Sequence, residues 1–144
     1  MIAVDTNILV YAHREDAIWH DPAYACLTDL AHGRGSWAIP WPCVHEFLAI
    51  VTHPRIYAPP TPLEKAVDQV QAWIESPSLV LLSEAEDHWQ HLQALLRPAR
   101  ALGPRVHDAR VAALCIANDI AELWTADRDF SRFPALKIRN PLIT

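Results

Sequence analysis

An α/β fold with a mostly parallel sheet of four to five strands, covered by helices on both faces, is what this sequence predicts. Short apolar runs alternate along the chain with segments of helical period, which is the pattern of a parallel sheet joined by right-handed crossovers. The first run, Met1–Val4, is uninterruptedly apolar and suits a strand buried on both faces. About half of the 144 residues are hydrophobic (51%), enough for one substantial core but hardly for two, so residues 1–144 read as a single domain.

Asp5 follows the first strand and opens a loop, and Asn7 is placed to cap the helix after it. Asp21-Pro22 puts a capping side chain before a proline of the first turn, predicting a helix from Pro22 to His32 that Gly33 and Gly35 end. The second strand is Trp37–Pro40. Pro42 then starts a helix to Thr52, in which Val44, Phe47, Leu48 and Val51 form a buried stripe and Glu46 lies off its centre. His53–Pro62 carries four prolines and reads as an ordered connector, and Thr61-Pro62-Leu63-Glu64 starts a helix to Glu75. Leu79–Leu82 is the third strand, Glu84–Arg97 a helix and Arg97–Arg105 a loop; Asp108–Asn118 is a helix rich in small apolar residues. Glu122–Thr125 is the fourth strand and Leu136–Arg139 the fifth.

Composition excludes several classes. The three cysteines, Cys26, Cys43 and Cys115, are odd in number and form no C-x-x-C pair, which argues against a disulfide framework and a cysteine zinc site. The start lacks a basic segment before an apolar stretch, and no uncharged apolar run reaches the length of a membrane span, so a soluble cytoplasmic protein without a membrane partner is expected. The net charge of −5 counts against a nucleic-acid partner. Distribution counts the other way: ten of the twelve cationic residues are arginines, and Arg97, Arg100, Arg105 and Arg110 cluster around Asp108. The guanidinium fork suits phosphate, although each arginine taken singly is as well explained as a solvated surface charge.

In open α/β sheets, sites form beyond the carboxyl ends of the strands. Asp5 and Asp127 follow strands, Glu46 stands early in the helix after a strand, and Asp108 begins a helix leading back to the sheet. Each alone reads as a cap, a turn residue or a solvated face. Together they would meet at one sheet edge, where they would repel unless a cation intervened. Hard oxygen donors favour Mg²⁺, with Mn²⁺ able to substitute, and such an ion acidifies water and stabilises an attacked phosphoryl group. Phosphodiester hydrolysis is the chemistry this set predicts.

The ordered segments Val4-Asp5-Thr6-Asn7-Ile8-Leu9-Val10, Glu46, His107-Asp108-Ala109 and Thr125-Ala126-Asp127-Arg128-Asp129-Phe130 resemble the signature of PIN-domain nucleases, most of all toxins of the VapBC toxin–antitoxin type. The resemblance extends over nearly the whole chain, including His53-Pro54-Arg55, Arg132-Phe133-Pro134 and Asn140-Pro141-Leu142. It implies a three-layer sandwich, Mg²⁺-dependent cleavage of RNA, a homodimer and inhibition by a small antitoxin protein. It further implies that Asp5 and Asp108 ligate the metal, that Glu46 ligates it or orients its water, and that Asp127 completes the acidic pocket. Thr6, Asn7 and Thr125 become supporting hydrogen-bonding groups, and Asp129 either assists a second ion or is structural. Gly103-Pro104-Arg105 stands where the pattern more often has Gly-Asn, and Asn118-Asp119-Ile120 where a glycine often ends the helix; both bear on loop shape and substrate choice.

Rival readings are weaker. His45-Glu46 begins like a zinc-protease helix, but Ala49 stands where the second histidine belongs. An aspartyl-nucleophile phosphatase wants an Asp where Asn7 stands. Eight histidines raise a metal-independent ribonuclease that leaves cyclic phosphates and ignores chelators. A non-catalytic binding module of the same fold has no need of four mutually repelling acids. The six tryptophans suit cores first and interfaces second.

Overall fold

β1 (Ile2–Val4) lies at the centre of the sheet, paired in parallel with β2 (Trp37–Pro40) on one side and β4 (Glu122–Trp124) on the other. The computed structural model describes residues 1–143, and in it β3 (Leu79–Leu82) joins β2 at one edge while β5 (Ile138–Arg139) joins β4 at the other. The strand order is therefore β3-β2-β1-β4-β5, all parallel, with six helices among the described residues flanking the sheet in the expected three-layer α/β arrangement. Register aligns the carboxyl ends: Val4 stands opposite Trp124, and Pro40 opposite Leu82. Whatever follows those residues emerges at one edge. Ala3, Val4, Ala38, Ile39 and Leu123 are fully buried, as strands covered on both faces require.

The helices start where backbone geometry dictates, which is not always where the side chains suggest. α1 (Thr6–His13) is capped by Asp5, whose extended backbone lets its carboxylate accept from the Thr6 N–H, so Asn7 is freed from the capping role expected of it. α2 (His20–His32) begins two residues before Pro22, with no capping side chain and with Asp21 in its first turn. α3 (Trp41–Val51) places Pro42 in its first turn, and its buried face is Cys43, Val44, Phe47 and Val51. Phe47 packs edge-on against Trp73 of α4 (Leu63–Ile74) at 4.8 Å and against His13 at 5.3 Å. Burying such a ring stabilises the fold by about 1.5–3 kcal/mol, and the anchored stripe turns Glu46, the neighbouring residue, outward.

α5 (His88–Ala99) starts one turn later than predicted and runs through Pro98 before Arg100 ends it in the left-handed region, φ 50°. Gly103, with φ +56°, then turns the chain through the left-handed region that favours glycine, and α6 (Arg105–Ala117) begins directly after Pro104. This start lies three residues ahead of Asp108, which therefore stands within the first turn of α6 and does not cap it. A 3₁₀ turn, Arg128–Arg132, follows Asp127, which caps it by accepting from the Asp129 N–H at 2.8 Å. Among the described residues no helix is long and apolar enough to cross a membrane.

Candidate active site

Asp5 is the floor of the site. The β1–β4 pairing continues into it through a 3.0 Å hydrogen bond from its N–H to the Trp124 carbonyl, and only 7% of the residue is exposed. Its Oδ1 accepts from the Thr6 N–H at 2.8 Å and from Cys43 Sγ at 3.5 Å. Its Oδ2 accepts from the Thr125 hydroxyl at 2.8 Å and from Asn7 Nδ2 at 3.3 Å. Thr125 Oγ1 in turn accepts from the Asp127 N–H at 2.9 Å, and Asn7 Oδ1 accepts from the Ala126 N–H at 3.0 Å. One lattice of short bonds thus fixes the rotamer of Asp5 and the start of the Asp127 turn. Despite four donors the Asp5 pKa is raised, because burial outweighs the hydrogen bonds from Thr125, Thr6 and Cys43, and Asp127 adds like charge.

Beside Asp5, which is not among its lining residues, opens a cleft of about 800 Å³ between α3, the start of α6 and the 3₁₀ turn, lined by Glu46, Asp108, Asp127 and Asp129 among others. Glu46 is exposed, and its pKa is raised by partial burial and by Asp5; His107 and Thr6 oppose that rise, although Thr6 Oγ1 is buried without a hydrogen-bond partner in good geometry. Asp108 is pushed up to about 6, first by desolvation and then by Asp127, Asp5, Asp129 and Glu46, every one of which acts in the same direction. The four predicted acids, with Asp129 as a fifth, are therefore close enough to repel one another.

Such a set fits a divalent cation on two grounds. All its donors are hard carboxylate oxygens, and the repulsion within it calls for positive charge. Among the described residues no group of three or more His, Cys, Asp or Glu side chains is placed so that it could hold a metal ion by itself. An octahedral ion that takes one or two carboxylates and keeps several waters does not require such a group.

Of the supporting residues expected from sequence, Asn7 and Thr125 bond to the Asp5 carboxylate through their side chains, and Thr6 does so through its backbone N–H. Asp129 faces the cleft and pairs with Arg105 at 3.4 Å. The arginine cluster divides in space: Arg105 and Arg110 line the acid cleft, whereas Arg97 and Arg100 line a separate depression. Sequence reasoning missed Cys43 as an Asp5 neighbour and both His45 and His107 as lining groups. Helical spacing holds the signal for one of them, since Cys43 precedes Glu46 by three residues.

VapC ribonuclease Mb2897 of Mycobacterium bovis is 34% identical over 142 residues, covering 99% of this chain and 96% of that protein. Ribonuclease VapC48 of Mycobacterium tuberculosis is 31% identical over 137 residues, covering 95% and 94%. The crystal structure of VapBC2 from Rickettsia felis, bound to a DNA fragment from its promoter, contains a chain that superposes with a TM-score of 0.72 at 22% identity, covering 97% of this chain and 98% of that one, a likeness of fold. The PIN domain family model matches residues 2–136, which span every strand but the last and all of the acids. The chain belongs to the PIN domain family.

Proposed function

We propose that this chain is a Mg²⁺-dependent endoribonuclease that hydrolyses RNA phosphodiester bonds and serves as the toxin of a toxin–antitoxin pair. The observation that carries the reading is the gathering of acids from four distant segments at the carboxyl edge of the sheet: Glu46, Asp108 and Asp127 line one cleft, and the buried Asp5 stands close enough to add its like charge to Asp108 and Glu46. Relatives named VapC ribonucleases support RNA as the substrate, and a neighbouring structure described as VapBC supports an antitoxin partner.

Asp5 and Asp108 would hold the ion, with Glu46 and Asp127 completing its surroundings; Mn²⁺ would serve in its place. When bound, the ion supplies a Lewis acid for the phosphoryl oxygen and lowers the pKa of water. Asp5, clamped by Thr125, Asn7 and Thr6, holds its carboxylate without reorganisation. Glu46, the exposed acid with a raised pKa, takes at its carboxylate the proton of the water that attacks phosphorus. The 3′ oxygen leaves and is protonated, giving 5′-phosphate and 3′-hydroxyl ends. The antitoxin inhibits by placing a basic side chain among the acids, and the active species is a homodimer.

His45 and His107 line the same cleft, which is the one observation favouring the metal-independent histidine mechanism. One experiment separates the readings: antitoxin-free protein is mixed with total RNA in Mg²⁺, in EDTA, and as Asp5→Asn, and the cut ends are mapped. Discrete 5′-phosphate ends that vanish in both controls are expected. Cyclic-phosphate ends that survive EDTA would transfer the chemistry to the histidines, and intact RNA throughout would leave a binding module of the same fold.

A further inference from the structure

Arg105 and Arg110 both reach the acid cleft, but they are held very differently. Arg110 Nε donates a 2.7 Å hydrogen bond to Glu84, which lies outside the acid cluster. Arg105 Nη1 stands 3.4 Å from Asp129 Oδ2, an ion-pair distance without hydrogen-bond geometry, and this buried nitrogen has no hydrogen-bond partner. A guanidinium keeps its proton and offers five N–H donors in a rigid fork. A buried donor of that kind left unbonded is an unmet demand for an acceptor, and its loose pairing with an exposed carboxylate is weak in a high-dielectric setting.

Placement adds a direction to that demand. Arg105 is the first residue of α6 and precedes Asp108 by three, so the fork and the acid lie on neighbouring positions of one helix face. A phosphate held by Arg105 would have the acid cluster within one helical turn. Asp129, at the same cleft, is the only acid there that an arginine of the described residues pairs with.

We propose that Arg105 binds the RNA backbone phosphate flanking the scissile bond, giving up its loose pairing with Asp129, which competes with the phosphate for the guanidinium, for a bidentate contact. The proposal rests on the ribonuclease reading and gives that site its phosphate-specific residue. Arg105 is a binding residue here, and the exchange favours phosphate because an Arg–phosphate pair makes two charge-assisted hydrogen bonds where the Asp129 pairing makes none.

The test uses a labelled single-stranded RNA carrying the cut site mapped for the wild-type protein, with kcat and KM measured in Mg²⁺ across a NaCl series. Arg105→Ala and Arg105→Gln should each raise KM about tenfold, leave kcat within about threefold, and flatten the slope of log(kcat/KM) against log[NaCl] by about 0.7, the single-strand value for one phosphate contact. Arg105→Lys should restore the slope more than the KM, since a point charge replaces the fork. Arg97→Ala, a loss of equal charge outside the cleft, should change neither, and Asp129→Asn should lower KM. An Arg105→Ala enzyme with wild-type KM and slope, a loss confined to kcat, or an equal effect of Arg97→Ala would overturn the proposal while the nuclease reading stands. A KM unchanged or raised in Asp129→Asn would overturn the competition between Asp129 and the phosphate. Wild-type protein that cuts no RNA would overturn the nuclease reading, and this one with it.

Discussion

Helix α1 carries a polar cluster at each end, and the two are built on opposite principles. At the C-terminal end His13 Nδ1 meets Gln69 Oε1 at 3.0 Å and His13 Nε2 meets Thr61 Oγ1 at 3.1 Å. Arg14 donates to Thr61 Oγ1 at 3.2 Å, grips Asp16 through two bonds of 2.9 and 2.6 Å, and stacks over Tyr57 at 4.3 Å. Every group there faces its complement, and the cluster ties α1 to the proline-rich connector and to α4. At the N-terminal end Asp5 is also richly hydrogen-bonded, yet the groups beyond it are acids of its own sign. The first cluster stabilises the fold; the second opposes it until positive charge arrives. Sites that break the local rules of stability are where function is to be sought.

Substitutions at the two ends should therefore differ in kind. Asp5→Asn, at the frustrated end, should reduce RNA cleavage in Mg²⁺ by about a thousandfold with the fold intact, as a kinetic assay alongside circular dichroism would show. His13→Ala, at the satisfied end, strands Thr61 and Gln69 and removes the contact with Phe47; it should destabilise by about 2 kcal/mol, a fall of roughly 6 °C in Tm by calorimetry, with kcat retained. Asp108→Asn should do the reverse. The Asp108 pKa is about 6 in the fold against an ordinary 3.8, so the folded chain holds this proton over a window in which the unfolded chain has released it. Its contribution to stability is full below the unfolded value and is lost as pH rises through about 6. In chelator at pH 7.5 the variant should melt about 3 °C above wild type after allowance for solvent screening, and the gain should vanish near pH 4. The smallest effect should come from Asp16→Ala, which breaks an exposed pair and should move Tm by less than about 2 °C, a shift that 0.5 M NaCl should shrink further.

The parts of this molecule legible in its sequence are those governed by local pattern. Apolar runs marked β1, β2 and β3, whereas β4 and β5 carry charged residues within their predicted spans, Glu122 in one and Lys137 and Arg139 in the other. The placement of Asp5 and Asp127 after strands, and of Glu46 beside the Phe47 stripe, followed from period alone. What stayed hidden depends on partners far away in the chain. Asp5 takes its cap role from its own backbone geometry, which residue type does not distinguish from the capping promise of Asn7. The start of α6 at Arg105 is fixed by the turn through Gly103 and Pro104, and it alone decides that Arg105 and Asp108 share a face. The Thr125 bond to Asp5 joins residues 120 apart, and the Arg105–Asp129 pair has no local signature.

The central position of β1 bears on how the molecule comes into being. β1 leaves the ribosome well before its partner β4, so Asp5 gains its Thr125 hydrogen bond and its neighbour Asp127 only after about 120 further residues are made. Contacts of such long sequence separation also form slowly. A chain made only as far as α6 therefore carries Asp5, Glu46 and Asp108 without the strand that gathers them.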